Sequence, residues 1–131
     1  MPAGRFWRTP RQQLTSLAPL LERFFIQRLM QERRVSPHTI CSYRDTFRLL
    51  LKFVQQRLSQ SPSTLVFEQL DAPLIVAFLD QLEKQRGLSA RSRDLRLTAI
   101  HSFFRYLAFE LPMHSAQIQR VLAVPSTSFA N

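Results

Sequence analysis

Residues 87–107 read GLSARSRDLRLTAIHSFFRYL, and the reading of this stretch decides the fold. Leu97, Ile100, Phe104 and Leu107 recur at steps of three and four, with Phe103 alongside, which marks one buried face of an α-helix. Ser89 stands ahead of it as an N-cap, and Gly87 sits where a preceding helix needs a positive-φ residue to end. The spacing predicts a helix from Ser89 to about Phe109, broken by Pro112.

Working outward, the same grammar repeats. Asp71 caps a predicted third helix with Pro73 in its first turn and Leu74, Ile75, Phe78, Leu79 and Leu82 facing inward. Ser36-Pro37 opens a second, an N-cap followed by proline at the first helical position. Its inward stripe is Ile40, Tyr43, Phe47, Leu50, Leu51, Val54 and Leu58, and Arg44, Arg48 and Lys52 form a separate row. A first helix begins after Ser16, carries Leu17, Leu20, Leu21, Phe24, Phe25 and Leu29 inward, and stops near Arg34. Leu65, Val66, Phe67 and Leu70 belong to a connector expected to pack back on the core, and His114 to Leu122 suit a last short helix. No run alternates as a strand does. The fold expected is all-α, a compact bundle of four main helices plus a short C-terminal helix. It occupies residues 16–124, between a flexible basic arm at 1–15 and the start of a linker or disordered tail at 125–131.

Composition narrows the function. The 131 residues carry a net charge of +9, and arginine outnumbers lysine 16 to 2. Such an excess points to a polyanionic partner, because neutralised phosphates release condensed counterions, and the arginine fork meets phosphate or guanine edges bidentately. Two glycines cannot build a phosphate loop, the three histidines are dispersed, and Cys41 has no second cysteine to pair with. No cofactor, metal or small-molecule ligand is expected. The scattered carboxylates, Asp80 and Glu83 among them, suggest no catalytic group. Nothing approaches the length of a membrane span, and the N-terminus lacks the apolar core of a signal peptide, so a cytoplasmic location is expected.

The helix starts carry the functional signal. Arg91, Arg93 and Arg96 crowd the first turns of the fourth helix, where the macrodipole disfavours cations. That placement makes sense if phosphates meet the helix end and its free N–H groups. Ser36-Pro37-His38-Thr39 likewise opens the second helix with small donors and no acid, and Ser42 follows Thr39. Arg44 and Arg48 stand equally as further contacts or as a solvated face. Tyr43 and Tyr106 read as core or rim residues rather than nucleophiles, and His101 as either a phosphate contact or a packing residue.

Two stretches together resemble the tyrosine recombinases. Val35 to Asp45, with Ser36, Thr39 and Tyr43 at their spacing, is similar to the family's helix of the form S-x-x-T-x-x-x-Y. Gly87 to Leu107, opening Gly-Leu-Ser and continuing through Ala99-Ile100-His101-Ser102-Phe103-Phe104 to Tyr106-Leu107, looks like a second family helix, with His101 where arginine is frequent. The resemblance covers about residues 17–125 and is to the N-terminal, SAM-like core-binding domain of phage-integrase or Xer-like enzymes. It implies a half-clamp on double-stranded DNA at a recombination half-site, with two helices meeting adjacent major grooves. By that resemblance Thr39, Ser42, Arg44, Arg91, Ser92 and Arg96 are candidate contacts, and the reading of the basic helices adds Arg48 and Arg93. It also implies other recombinase protomers as partners on DNA. The family's catalytic residues lie in a later domain, so no catalysis is expected within this chain, whether it is a fragment or a naturally short relative. The rival expectation is a helical protein-interaction module whose basic face holds an acidic partner.

Overall fold

The computed structural model describes residues 14–29, 35–87 and 89–126. The expected basic arm, apart from Leu14 and Thr15, lies outside these residues, as do the end of the first helix near Arg34 and the tail from Thr127. Five α-helices are present among the described residues: α1 (Leu17–Arg23), α2 (Pro37–Leu58), α3 (Ala72–Arg86), α4 (Ala90–Glu110) and α5 (Ser115–Leu122). The fold is all-α, and the one β-like feature among the described residues is an isolated antiparallel bridge between Ser16 and Val66.

Local chemistry explains where the helices begin. The Ser36 hydroxyl accepts from the Thr39 amide at 3.2 Å, Asp71 Oδ1 from the Leu74 amide at 3.0 Å, and the Ser89 hydroxyl from the Ser92 amide at 3.2 Å. Each satisfies an amide that the helix itself leaves without a partner. Ser16 is different: its side chain makes no cap bond. The chain there is held instead by the connector, with the Leu17 amide donating to the Leu65 carbonyl (3.0 Å) and the Phe67 amide to the Thr15 carbonyl (2.7 Å). Gly87 ends α3 at φ 62°, the left-handed conformation its position called for.

α4 is central, and α2, α3, α5 and the π-helical turn that follows α1 all pack against it. Its stripe of Leu97, Ile100, Phe103, Phe104 and Leu107 is fully buried or nearly so. α1 runs directly into a π-helical turn, Phe24–Leu29. In an α-helix Phe24 and Leu29 would point about 140° apart. The wider i to i+5 turn brings both inward, and both are buried. Phe24 then meets Phe103 (ring centroids 5.3 Å apart), Phe47 (6.1 Å) and Phe25 (5.5 Å) edge-on, the arrangement aromatic quadrupoles favour. In the connector, Leu65, Phe67 and Leu70 are buried, and Gln117 of α5 donates to the Phe67 and Leu70 carbonyls, both at 2.9 Å. On α2 the inward face is rotated slightly from the expected stripe. Phe53 and Thr46 are buried, whereas Leu58, near the helix end, is 39% exposed because α2 outruns the bundle there.

Phe24 joins three helices in one aromatic cluster. Phe24→Ala should therefore cost about 3–5 kcal/mol of stability, read as a lowered urea midpoint, whereas Ile26→Ala on the exposed side of the same turn should shift it little.

Candidate nucleic-acid interface

The starts of α2 and α4 are built alike. In α2 the Ser36 and Thr39 hydroxyls are 3.1 Å apart, and in α4 the Ser89 hydroxyl donates to that of Ser92 at 3.3 Å. Neither helix has an acid in its first turn. Amide donors, small hydroxyls and the positive dipole end thus remain available to an anion at both sites.

The two helices are joined just behind these starts. Arg96 reaches from α4 across to α2, where Nη1 donates to Thr46 Oγ1 (2.9 Å) and the Ser42 carbonyl (3.4 Å), and Nη2 pairs with Asp45 Oδ2 (3.0 Å). Thr46, fully buried, donates in turn to the Ser42 carbonyl at 2.9 Å. Ser42 therefore contributes its backbone to the junction while its side chain is exposed.

The candidate residues separate into three groups. Thr39, Ser42, Arg91 and Ser92 lie at or beside the two helix starts, and Arg91 is exposed and makes no ion pair with a described residue. Arg44 and Arg48 are exposed too, but at 3.6 residues per turn they lie about 120–160° around α2 from Ser42. They flank a groove between α1 and α2 floored by Leu21, Phe25, Phe47 and Leu51, with Glu22 also on its wall. Arg93 and Arg96 are the third group, and they are not free cations.

Arg93 corrects the expectation most sharply. Its side chain is only 9% exposed, with Nε 2.6 Å from Glu83 of α3 and Nη1 3.7 Å from Asp94. The Glu83 contact is off the N–H direction, so Nε and Nη1 are buried charges with an ionic partner but no hydrogen-bond acceptor among the described residues. A cation in that position faces α3, not solvent. The crowding of arginines that suggested phosphates is answered in part by acids from neighbouring helices. Glu83, Asp45 and Thr46 were missed as partners; the one signal for them was Thr46, a polar residue on the inward face of α2.

His101 takes the packing role of its two expected ones. Its Nε2 donates to the Val121 carbonyl at 3.0 Å, tying α4 to the end of α5. Burial lowers its pKa below the usual 6.5 and the Arg105 charge adds to this, against the opposing pull of the Val121 bond. Tyr106 is buried beside Phe24, and its hydroxyl donates to Gln27 at 3.1 Å; burial raises its pKa. Both tyrosines are core or rim groups. No three His, Cys, Asp or Glu side chains among the described residues are grouped to hold a metal ion. No helix among them is long and apolar enough to cross a membrane.

This geometry defines a class: a helical domain that presents two similarly capped, acid-free helix starts, cross-braced by an arginine. Comparison with known proteins makes the assignment. Residues 21–110 match the family model for the phage integrase N-terminal SAM-like domain, and the chain belongs to that family. The putative integrase/recombinase y4rC of Sinorhizobium fredii (strain NBRC 101917 / NGR234) is 74% identical over 114 residues, 87% of this chain and 34% of that protein. A second protein of that strain, the putative integrase/recombinase y4rD, is 47% identical over 83% of this chain and 39% of its own length. The tyrosine recombinase XerC of Pelobacter propionicus is 36% identical over 70% of this chain and 29% of its own. The chain thus spans about a third of the length of these curated relatives. No solved structure matches it.

The His101 shift has a definite sign. The folded state holds its proton less tightly than the unfolded state, so the contribution to stability is complete above about pH 6.5 and declines as pH falls below it. Between about pH 7.5 and about pH 5 the urea midpoint of the wild type should fall further than that of His101→Gln, which keeps an amide donor but cannot titrate. Parallel curves would contradict the assignment.

Proposed function

We propose that this domain is the DNA-gripping part of a site-specific tyrosine recombinase or integrase and clamps one side of a recombination half-site. The observation that carries the reading is the pair of helix starts, Ser36/Thr39 and Ser89/Ser92, braced together behind an Arg91 that has no ion pair among the described residues, in a chain of net charge +9. Amides and hydroxyls at each start would take phosphate oxygens and fix register on the duplex. Arg91 would supply a mobile cation for phosphate or a guanine edge, with Thr39, Ser42 and Ser92 as shorter-range contacts. Arg44 and Arg48, on another side of α2, would add contacts only to a second stretch of backbone. Arg93 and Arg96 are not offered as contacts, since acids already hold them.

In this reading the strand-breaking chemistry belongs to residues outside the domain, the partners are duplex DNA and other recombinase protomers, and the site of action is the cytoplasm. One observation favours a second reading. The α1–α2 groove, apolar at its floor and flanked by Arg44 and Arg48, fits an acidic amphipathic segment of a protein partner.

A salt series separates the two. Fluorescence-anisotropy titration with a duplex should show affinity falling steeply with ionic strength. Arg91→Ala should weaken binding and reduce the log–log salt slope by about 0.9, the value for one phosphate contact. Duplex binding indifferent to salt, or unchanged by Arg91→Ala, would overturn the proposed surface; retention of an acidic peptide with no DNA binding would favour the groove.

A further inference from the structure

We infer that Thr46 and Arg96 are positioning residues, which set the spacing and angle between the two helix starts and so govern sequence discrimination without touching DNA. The inference rests on the DNA-binding reading and deepens it.

Arg96 lies in the second turn of α4, close to the helix start. Yet its guanidinium is committed on one side to α2: Thr46 Oγ1 at 2.9 Å, the Ser42 carbonyl at 3.4 Å and Asp45 Oδ2 at 3.0 Å. Its side chain is 21% exposed, so the pair is neither a loose surface bridge nor a fully desolvated one. Planar, many-toothed donation is what arginine does and lysine does not, and it fixes orientation as well as distance.

Thr46 makes the brace a chain rather than a pair. Its hydroxyl has a single proton, given to the Ser42 carbonyl at 2.9 Å, and its lone pairs are left to receive Arg96. Thr46 is fully buried, so it cannot reach a ligand. The Ser42 carbonyl that both groups engage belongs to the turn of α2 immediately behind Thr39. A shift of Arg96 therefore moves the α2 start relative to the α4 start. Arg93, held against Glu83 and about 60° around the helix from Arg96, ties α4 to α3 as well. Two helix ends that must meet one duplex in fixed register need such bracing, because small misplacements at a recognition surface are costly. Non-specific phosphate attraction needs none of it.

That difference gives the test. The probes are two short duplexes of equal length, one recovered from random sequence by selection on the wild-type protein, the other its scrambled counterpart. Thr46→Val removes the hydroxyl at nearly constant shape. It should lose about three- to tenfold in affinity for the selected duplex, with affinity for the scrambled duplex and the salt slope unchanged. Thr46→Ser, which keeps both hydrogen bonds, should restore the preference. Asp45→Asn, at a half-exposed position that poses little risk to folding, should raise affinity for both duplexes through its lost negative charge, yet narrow the ratio between them. The inference is overturned if Thr46→Val leaves the ratio intact, if both affinities fall equally, or if Arg96→Met lowers the salt slope by about one, the mark of a phosphate contact. A wild-type protein that retains no duplex at all would instead overturn the DNA-binding reading, and the inference with it.

Discussion

The structure depends on burying a helix that begins with three arginines. α4 is covered by α2, α3, α5 and the π-helical turn after α1, so its first two turns cannot all face water. A charge taken out of water is expensive unless an opposite charge or a set of acceptors goes with it. Glu83 meets that demand for Arg93, and Asp45 with Thr46 meets it for Arg96. Only Arg91, on the outward side of the first turn, stays clear of acids among the described residues. The same accounting that permits the core also decides which cation is left for a ligand.

This constraint orients the interface. Where α2 and α4 cross, a polar chain of Ser42, Thr46, Arg96 and Asp45 stands in place of an apolar contact. Apolar packing alone tolerates sliding and repacking; a buried hydroxyl and a guanidinium do not, because each is costly to leave unsatisfied. Just below the chain the aromatic cluster of Phe24, Phe47 and Phe103 takes over. The domain thus has a specified polar joint near the two helix starts and an apolar core beneath it.

Most of the fold was legible because its signals are local. Caps at Ser36, Asp71 and Ser89, the glycine stop at Gly87 and the stripes at steps of three and four all depend on residues within a turn or two. The π-helical turn was not legible, since it arises from fitting both Phe24 and Leu29 into one core. Of the candidate site, the capping geometry of the two helix starts was legible from their hydroxyls and missing acids. The roles of Arg93 and Arg96 were not. Their partners lie on other helices, and a cationic run at a helix start looks the same whether phosphates or distant carboxylates balance it. Arg44 and Arg48 show the related limit: a row along one helix says nothing of which way that row faces until its neighbours are placed.

The most direct measurement is a nuclear magnetic resonance titration of the labelled protein with duplex DNA, following backbone amides and arginine Nε–H signals together. The account predicts that the amides at the starts of α2 and α4 and the Arg91 side chain move in concert, while the Arg93 and Arg96 Nε–H signals hold their positions. Movement centred on Arg44 and Arg48, or Arg93 and Arg96 leaving their carboxylates for the duplex, would contradict it.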